Sequence, residues 1–270
     1  SGFACIAIAI MTFFGGIFLG QESGFGSLQS YLLFIIAVVA LGLFIMVERK
    51  RKSPLIKFAI FKNKIFTLSL LSAVLIFASN FFVNVVIPFY LQDARKLSAS
   101  YAGLLMMVFP LLMVVGAPLS GYLTDKIGPG ILTFGGLLLL CCTSLMYMFL
   151  DMNSPIWYYV IATAIMGLGN ALFQSPNNTM VMSSVEKQDL GVAGSMNSFA
   201  RNLGMVIGIA LSTTILYRGM SEAYGERVTT YLANRPDIFI VGMRETFFVA
   251  FLLCVAAFIL TILRFRKTTK

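Results

Sequence analysis

Side-chain amides are the groups in this sequence best placed to do chemistry. Asn170, Gln174, Asn177 and Asn178 fall at i, i+4, i+7 and i+8, which is one face of a helix. Asn80 and Asn84 repeat the i, i+4 spacing, as do Asn197 and Arg201, whose stripe continues through Gly204 and Gly208. Neutral amides neither take protons nor attack carbonyls, so the chemistry they offer is recognition by hydrogen bonding. Two uses fit the spacing equally: a polar wall along a cavity that a solute crosses, or hydrogen bonds that tie helices together. The groups needed for covalent work are missing. The chain has no His, which removes an HExxH zinc site, a Ser-His-Asp triad and a His proton relay. Glu48, Asp93 and Asp125 stand at the ends of the uncharged runs and none lies deep inside one. A buried carboxylate or His is the usual proton-coupling group, and the spans of this chain supply neither. No catalytic residue, metal site or cofactor is expected.

The elements that carry these amides follow from the apolar runs. Of 270 residues, 59% are hydrophobic and 11% charged, against about 25% charged in soluble domains. A soluble domain of this size has no interior large enough for so many apolar side chains. Crossing a bilayer takes about 20 mostly apolar residues. Uncharged stretches that long occupy 1–21, 23–47, 65–92, 97–124, 127–150, 152–185 and 246–263, and 190–217 is broken only by Arg201. No strand alternation competes with them. The expected fold is therefore an all-α membrane protein with eight transmembrane helices. Residues 1–47 form two leading spans, 48–64 a basic connector, and 65–270 a six-helix block with a tail. Within the spans, Pro88, Pro110, Pro118 and Pro176 mark bends.

Lys and Arg set the orientation. Arg49, Lys50, Arg51, Lys52, Lys57, Lys62 and Lys64 crowd the connector, Lys126 and Lys187 follow the fourth and sixth spans, and Arg264, Arg266, Lys267 and Lys270 close the chain. Alternating spans put all of these on one side, which makes that side and both chain ends cytoplasmic. The outer side holds Arg95 and Lys96 and the long loop 218–245, where Tyr224, Val228, Tyr231 and Leu232 recur at helical spacing; a short interfacial helix and a solvated loop both fit. The net charge of +9 thus reads as membrane orientation, and nucleic acid is not an expected partner. Cys5, Cys141, Cys142 and Cys254 lie in apolar runs as small packing residues, without a disulfide framework. The chain begins at Ser1 in the middle of an apolar run, and it reads as a piece of a longer polypeptide.

One loop is specific. Gly121, Asp125, Lys126 and Gly128 lie in the string GYLTDKIGPG between the fourth and fifth spans. Asp125 is expected just ahead of the fifth span, where a carboxylate meets the positive end of a helix dipole. This string resembles the G-x-L-x-D-[RK]-x-G signature of the major facilitator superfamily, in the copy carried by the C-terminal half; Pro129 and Gly130 stand where that family has basic residues. IMGLGNALFQ at 165–174 is similar to that family's glycine-rich helix. RNLGMVIGIA at 201–210, with Gly204 and Gly208 at GxxxG spacing, is similar to its antiporter-type glycine helix, where close packing of helix backbones is the plainer role. The two leading spans and their basic joint resemble the extra pair of helices in the fourteen-span drug/proton antiporter branch.

The resemblance implies the second half of such a transporter: two linker helices and the C-terminal bundle of a major facilitator fold, in a plasma membrane, with a bacterial inner membrane the natural setting. It also implies a missing N-terminal six-helix half, an amphipathic or cationic small-molecule substrate, and protons as coupling ion. The loop around Asp125 would be a conformational switch, and Asn80, Asn84, Asn170, Gln174, Asn177, Asn178, Asn197 and Arg201 would line the cavity. An uptake carrier, a lipid exporter or a non-transporting membrane scaffold fits the same residues.

Overall fold

A computed structural model describes residues 2–23, 28–49, 58–232 and 235–268. The connector cations Lys50, Arg51, Lys52 and Lys57, and Lys270 in the tail, lie outside the described residues. Among the described residues every regular element is helical and there is no strand. The helices are α1 (Gly2–Ser23), α2 (Leu28–Arg49), α3 (Lys64–Phe89), α4 (Ala99–Met106), α5 (Val108–Ile127), α6 (Pro129–Met148), α7 (Ile156–Ser183), α8 (Leu190–Tyr224) and α9 (Pro236–Thr268). Among them the structure has seven spans long and apolar enough to cross a membrane, with α4 and α5 together making one of them. In α1 the apolar stretch is Ala7–Gly20. The molecule is a multi-pass membrane protein.

The residues group into two compact units, Ser1–Ile60 and Phe61–Lys270. In the first, α1 and α2 pack as a hairpin, with Gly16 letting Leu33 and Phe34 come close and the Phe13 and Phe34 rings meeting edge to face at 5.9 Å.

In the second unit α3 packs on α7, α8 and α9, α6 joins α7 to α9, and α5 lies along α7. Lipid tails are as apolar as Leu, so burying greasy side chains does not drive this association; close van der Waals contact does. Small residues make the contact possible. A Cβ on Gly204 would sit 2.5 Å from the Val74 carbonyl oxygen, and one on Gly208 would overlap that of Ala78, so α8 meets α3 backbone to backbone. At the α6–α7 crossing a Cβ on Gly136 would lie 2.8 Å from the Gly169 carbonyl oxygen.

The prolines shape the helices as their missing N–H dictates. Pro110 cannot bond back to Met106, and the single run expected over 97–124 is two helices that part at Met107. Pro88 stands inside α3, and the chain beyond it widens into a π turn over Tyr90–Ala94 before Lys96 takes φ 56°.

The outer loop also differs from expectation. α8 continues to Tyr224, Gly225 ends it at φ 86°, and α9 begins at Pro236, so Arg218 and Arg244 belong to helices. No helix forms over Val228, Tyr231 and Leu232. Instead the Val228 N–H donates to Ser221 Oγ at 2.9 Å, and Tyr231 packs edge to face on Phe239 at 5.5 Å. The early start of α9 also places Glu245 inside a spanning helix, against Gly219 of α8, where the sequence had suggested a loop.

Candidate functional site

The amides of α3 and α7 meet. Asn80 Nδ2 donates to Asn170 Oδ1 at 2.5 Å, and Asn170 Nδ2 donates back to Asn80 Oδ1 at 3.1 Å and to the Met166 carbonyl at 3.0 Å. Both residues are buried, and a buried amide left without partners would cost roughly 1–3 kcal/mol. The pair consumes most of its own hydrogen-bonding capacity. What remains for a solute sits at its edges. Asn84 is exposed and spends one N–H on the Asn80 carbonyl at 3.2 Å; Gln174 is half-buried and reaches Asn170 Oδ1 at 3.5 Å.

One turn further along α7 the expected stripe divides, because neighbouring residues on a helix point about 100° apart. Asn177 turns inward, 2% exposed, and donates to the Ser69 carbonyl at 3.2 Å. Asn178 turns outward and accepts a 2.7 Å hydrogen bond from Asn197 Nδ2 on α8. Asn177 therefore faces the interior of the unit and not an open wall. Arg201 lies half-buried a turn beyond Asn197, with Nη2 3.2 Å from Ser198 Oγ and the guanidinium carbon 6.0 Å from the centre of the Phe77 ring. No carboxylate among the described residues pairs with it. The accessible polar groups left by this packing are Asn84, Gln174, Asn178 and Arg201, a row that follows α7 between α3 and α8.

Behind the Asn80–Asn170 pair is a narrow crevice of about 10 Å³ among α3, α6, α7 and α9, lined in part by Ser79, Thr143, Ser144, Tyr147 and Cys254.

The α5–α6 turn departs from expectation in one respect. Asp125 lies in the last turn of α5, at the negative end of that helix, because α5 runs on to Ile127. It is exposed and forms no ion pair among the described residues, while Lys126 Nζ sits 4.5 Å over the Tyr122 ring. Gly128 takes φ 86°, a conformation that suits glycine, and joins α5 directly to α6. Gly121 has room around it, with Ser175 Oγ 3.8 Å from where a Cβ would be. Gly130 lies against the Phe265 ring.

Arg264 also departs from expectation. The sequence places it in the tail, but α9 continues past it, and Arg264 is 1% exposed in the interior. Its Nη1 donates to Ser69 Oγ at 2.8 Å and to Asn177 Oδ1 at 3.0 Å, joining α9 to α3 and α7. A signal was present: Phe247, Ala250, Cys254, Ala257, Thr261 and Arg264 follow a 3-4 spacing, and all are buried.

Among known proteins, the chain is 28% identical over 248 residues to the riboflavin transporter RibZ of Clostridioides difficile, covering 91% of this chain and 52% of that protein. It is 28% identical over 221 residues to the multidrug transporter protein MdtP of Bacillus subtilis, covering 81% and 40%. With the uncharacterized transporter YebQ of Escherichia coli it shares 33% over 208 residues, covering 74% and 45%. The chain thus spans about half the length of the curated relatives it matches. The family model described as Major Facilitator Superfamily matches residues 1–209 and again residues 70–270, and the chain belongs to that superfamily.

Proposed function

We propose that this chain is the second half of a fourteen-span antiporter that exports amphipathic, often cationic small molecules in exchange for protons. The reading rests most on the row formed by Asn84, Gln174, Asn178 and Arg201, the polar groups that packing leaves accessible between α3, α7 and α8. In this reading α1 and α2 are the two linker spans, which brings the spans to eight, and α3 to α9 form the C-terminal bundle. A six-helix N-terminal half completes the cavity and supplies the carboxylate that binds the proton. Transport proceeds by rocking one bundle against the other. The turn holding Gly121, Asp125, Lys126 and Gly128 biases the two access states. The protein lies in a bacterial inner membrane with both ends of this chain in the cytoplasm.

The row has the right chemistry for varied cargo. Amides offer donor and acceptor together, and a few of them on an apolar wall orient a ligand without demanding one shape. The 28% relative named as a riboflavin transporter favours a second reading, in which the cargo is a flavin.

Inverted membrane vesicles containing the complete protein separate these. With an imposed proton gradient, export predicts accumulation of a cationic dye, and Asn84→Ala with Gln174→Ala lowers it several-fold at unchanged protein level. Asp125→Asn lowers it too. Accumulation that ignores the gradient, or a double variant with full activity, rejects the proposal; saturable flavin movement without dye movement supports the second reading.

A further inference from the structure

Arg201 is the one charged group in the accessible row between α3, α7 and α8, and its partners are neutral. Among the described residues its guanidinium donates from Nη2 to Ser198 Oγ at 3.2 Å, and the guanidinium carbon lies 6.0 Å from the centre of the Phe77 ring. An arginine carries five N–H donors, so most of the fork is left for something else. Further polar groups gather beside it. Asn178 spends its Oδ1 on the 2.7 Å bond from Asn197 Nδ2, and its own amide N–H groups donate to no described residue. The short segment 184–189 joins α7 to α8, so the two helices run antiparallel. Arg201 is one turn beyond Asn197 on α8, and Gln174 is one turn before Asn178 on α7, which puts Arg201 and Gln174 at one level. Gln174 is half-buried and keeps Oε1 and one N–H in reserve.

We propose that this corner of the row binds the carboxylate of an aromatic, zwitterionic cargo, with Arg201 as the anchor and Phe77 as the surface on which the cargo ring rests. The proposal rests on the reading of the row as part of a cargo cavity. Geometry favours a carboxylate, because the planar guanidinium meets it through two parallel N–H···O bonds that a point charge cannot reproduce. Charge favours it as well. The row holds one positive group and no acid, so an anion entering it is neutralised while a cation at the same place is repelled. Partial burial keeps this difference from being screened away by salt. The apolar part of the site is set by helix packing. Bare Gly204 and Gly208 bring α8 against the Cβ atoms of Phe77 and Phe81, and both aromatic residues remain partly accessible along that flank of α3. The Phe77 ring also steadies the guanidinium by cation–π attraction. A zwitterion can keep its cationic group away from Arg201, which makes an export path for cationic amphiphiles compatible with an anion-binding arginine.

Binding of radiolabelled naphthylalanine, a zwitterionic aromatic acid, and of its primary carboxamide to the complete purified protein tests this. The parent should bind the acid roughly tenfold more tightly than the amide. Arg201→Gln should remove that preference and leave amide binding unchanged, which also reports that the variant is folded. Arg201→Lys should keep part of the preference, and Phe77→Leu should weaken both ligands alike. No measurable binding of the acid, equal binding of acid and amide by the parent, or a preference that survives in Arg201→Gln overturns the site. So does loss of both ligands together in the Gln and Lys variants, the result expected of an arginine that only tethers helices or holds a carboxylate of the other half. Proton-driven dye accumulation is read separately: accumulation without an acid preference overturns this site alone, and an acid preference without accumulation overturns the antiporter reading alone.

Discussion

Arg264 Nη1 donates a 3.0 Å hydrogen bond to Asn177 Oδ1, while the same amide's Nδ2 donates to the Ser69 carbonyl at 3.2 Å. Arg264 also bonds Ser69 Oγ, so three helices distant in sequence close a loop of hydrogen bonds around two side chains. A charge held inside a protein is tolerated when partners replace its water, and the planar guanidinium can serve two acceptors from one nitrogen.

Removing it should therefore hurt stability before anything else. Arg264→Ala leaves Asn177 Oδ1 and Ser69 Oγ without their donor, at roughly 1–3 kcal/mol for each orphaned group. Arg264→Lys, with one compact ammonium, should fall between Ala and the parent. Unfolding midpoints in mixed detergent micelles read this directly. An Ala variant that unfolds with the parent would reduce Arg264 to an incidental contact.

The glycines offer a matched comparison. A methyl on Gly208 would meet the Ala78 backbone, whereas one on Gly103 meets nothing within 4 Å. Overpacking costs about 1–3 kcal/mol, and Gly to Ala in an unobstructed helix gains up to about 1 kcal/mol. Gly208→Ala should lower the yield of folded protein, and Gly103→Ala should leave it level or raise it. If both behave alike, the close approach of α8 to α3 is not what Gly208 provides.

Much of the helical layout was legible because apolar run length alone decides it. The residues that misled did so for definite reasons. Run length cannot see that the helix of one span parts at Met107, three residues ahead of Pro110, or that helix turns persist past the apolar core, as in α8 up to Tyr224 and α9 from Pro236. Spacing placed Asn80 and Asn170 on plausible faces, but nothing in one sequence says that they face each other. Asn177 and Asn178 fitted one stripe within the tolerance of the pattern, and only packing against Ser69 and Asn197 sends them opposite ways. Arg264 was misread because charge outweighed its position on the buried stripe. Asp125 was placed at a helix start because the sequence carries no marker for whether the turn begins before or after it.

The turn after α6 should respond to acid. Hydrogen bonds from the Asn153 backbone N–H and the Ser154 hydroxyl hold the Asp151 carboxyl below its ordinary range. The Asp151 carbonyl accepts from Tyr90 Oη at 2.7 Å, and Arg95 donates to the Ser154 carbonyl, so the turn anchors the C-terminal end of α3. A carboxylate with a depressed pKa in the folded state stabilises fully above its unfolded value of about 3.9 and loses that contribution as pH falls through the lower folded value. Amide exchange at Asn153 should speed up below about pH 4, relative to a distant helix, and Asp151→Asn should flatten that dependence. A wild-type profile already flat through this range contradicts the role.

Arg201 is where structure and proposed transport meet. At 1.5 Å per residue it lies about 16 Å along α8 from Leu190, which puts it in the N-terminal half of that helix. A cation at the centre of a spanning helix costs about 2.5–3.5 kcal/mol on insertion scales, less toward an end or beside partners. Its partners here are Ser198 and the Phe77 ring, both neutral. Two roles remain for the open donors of the guanidinium: holding a carboxylate of the other half, or setting the field felt by cargo in the cavity. Lys keeps the charge and gives up the planar fork, so the variants separate the two. In the cavity role, Arg201→Lys folds normally and shifts which compounds are exported, while Arg201→Gln improves export of cations at the expense of anions. In the tethering role, both variants lower the amount of folded protein and leave the ranking of compounds unchanged. Transport of a panel of dyes of graded charge, normalised to folded protein, decides between them.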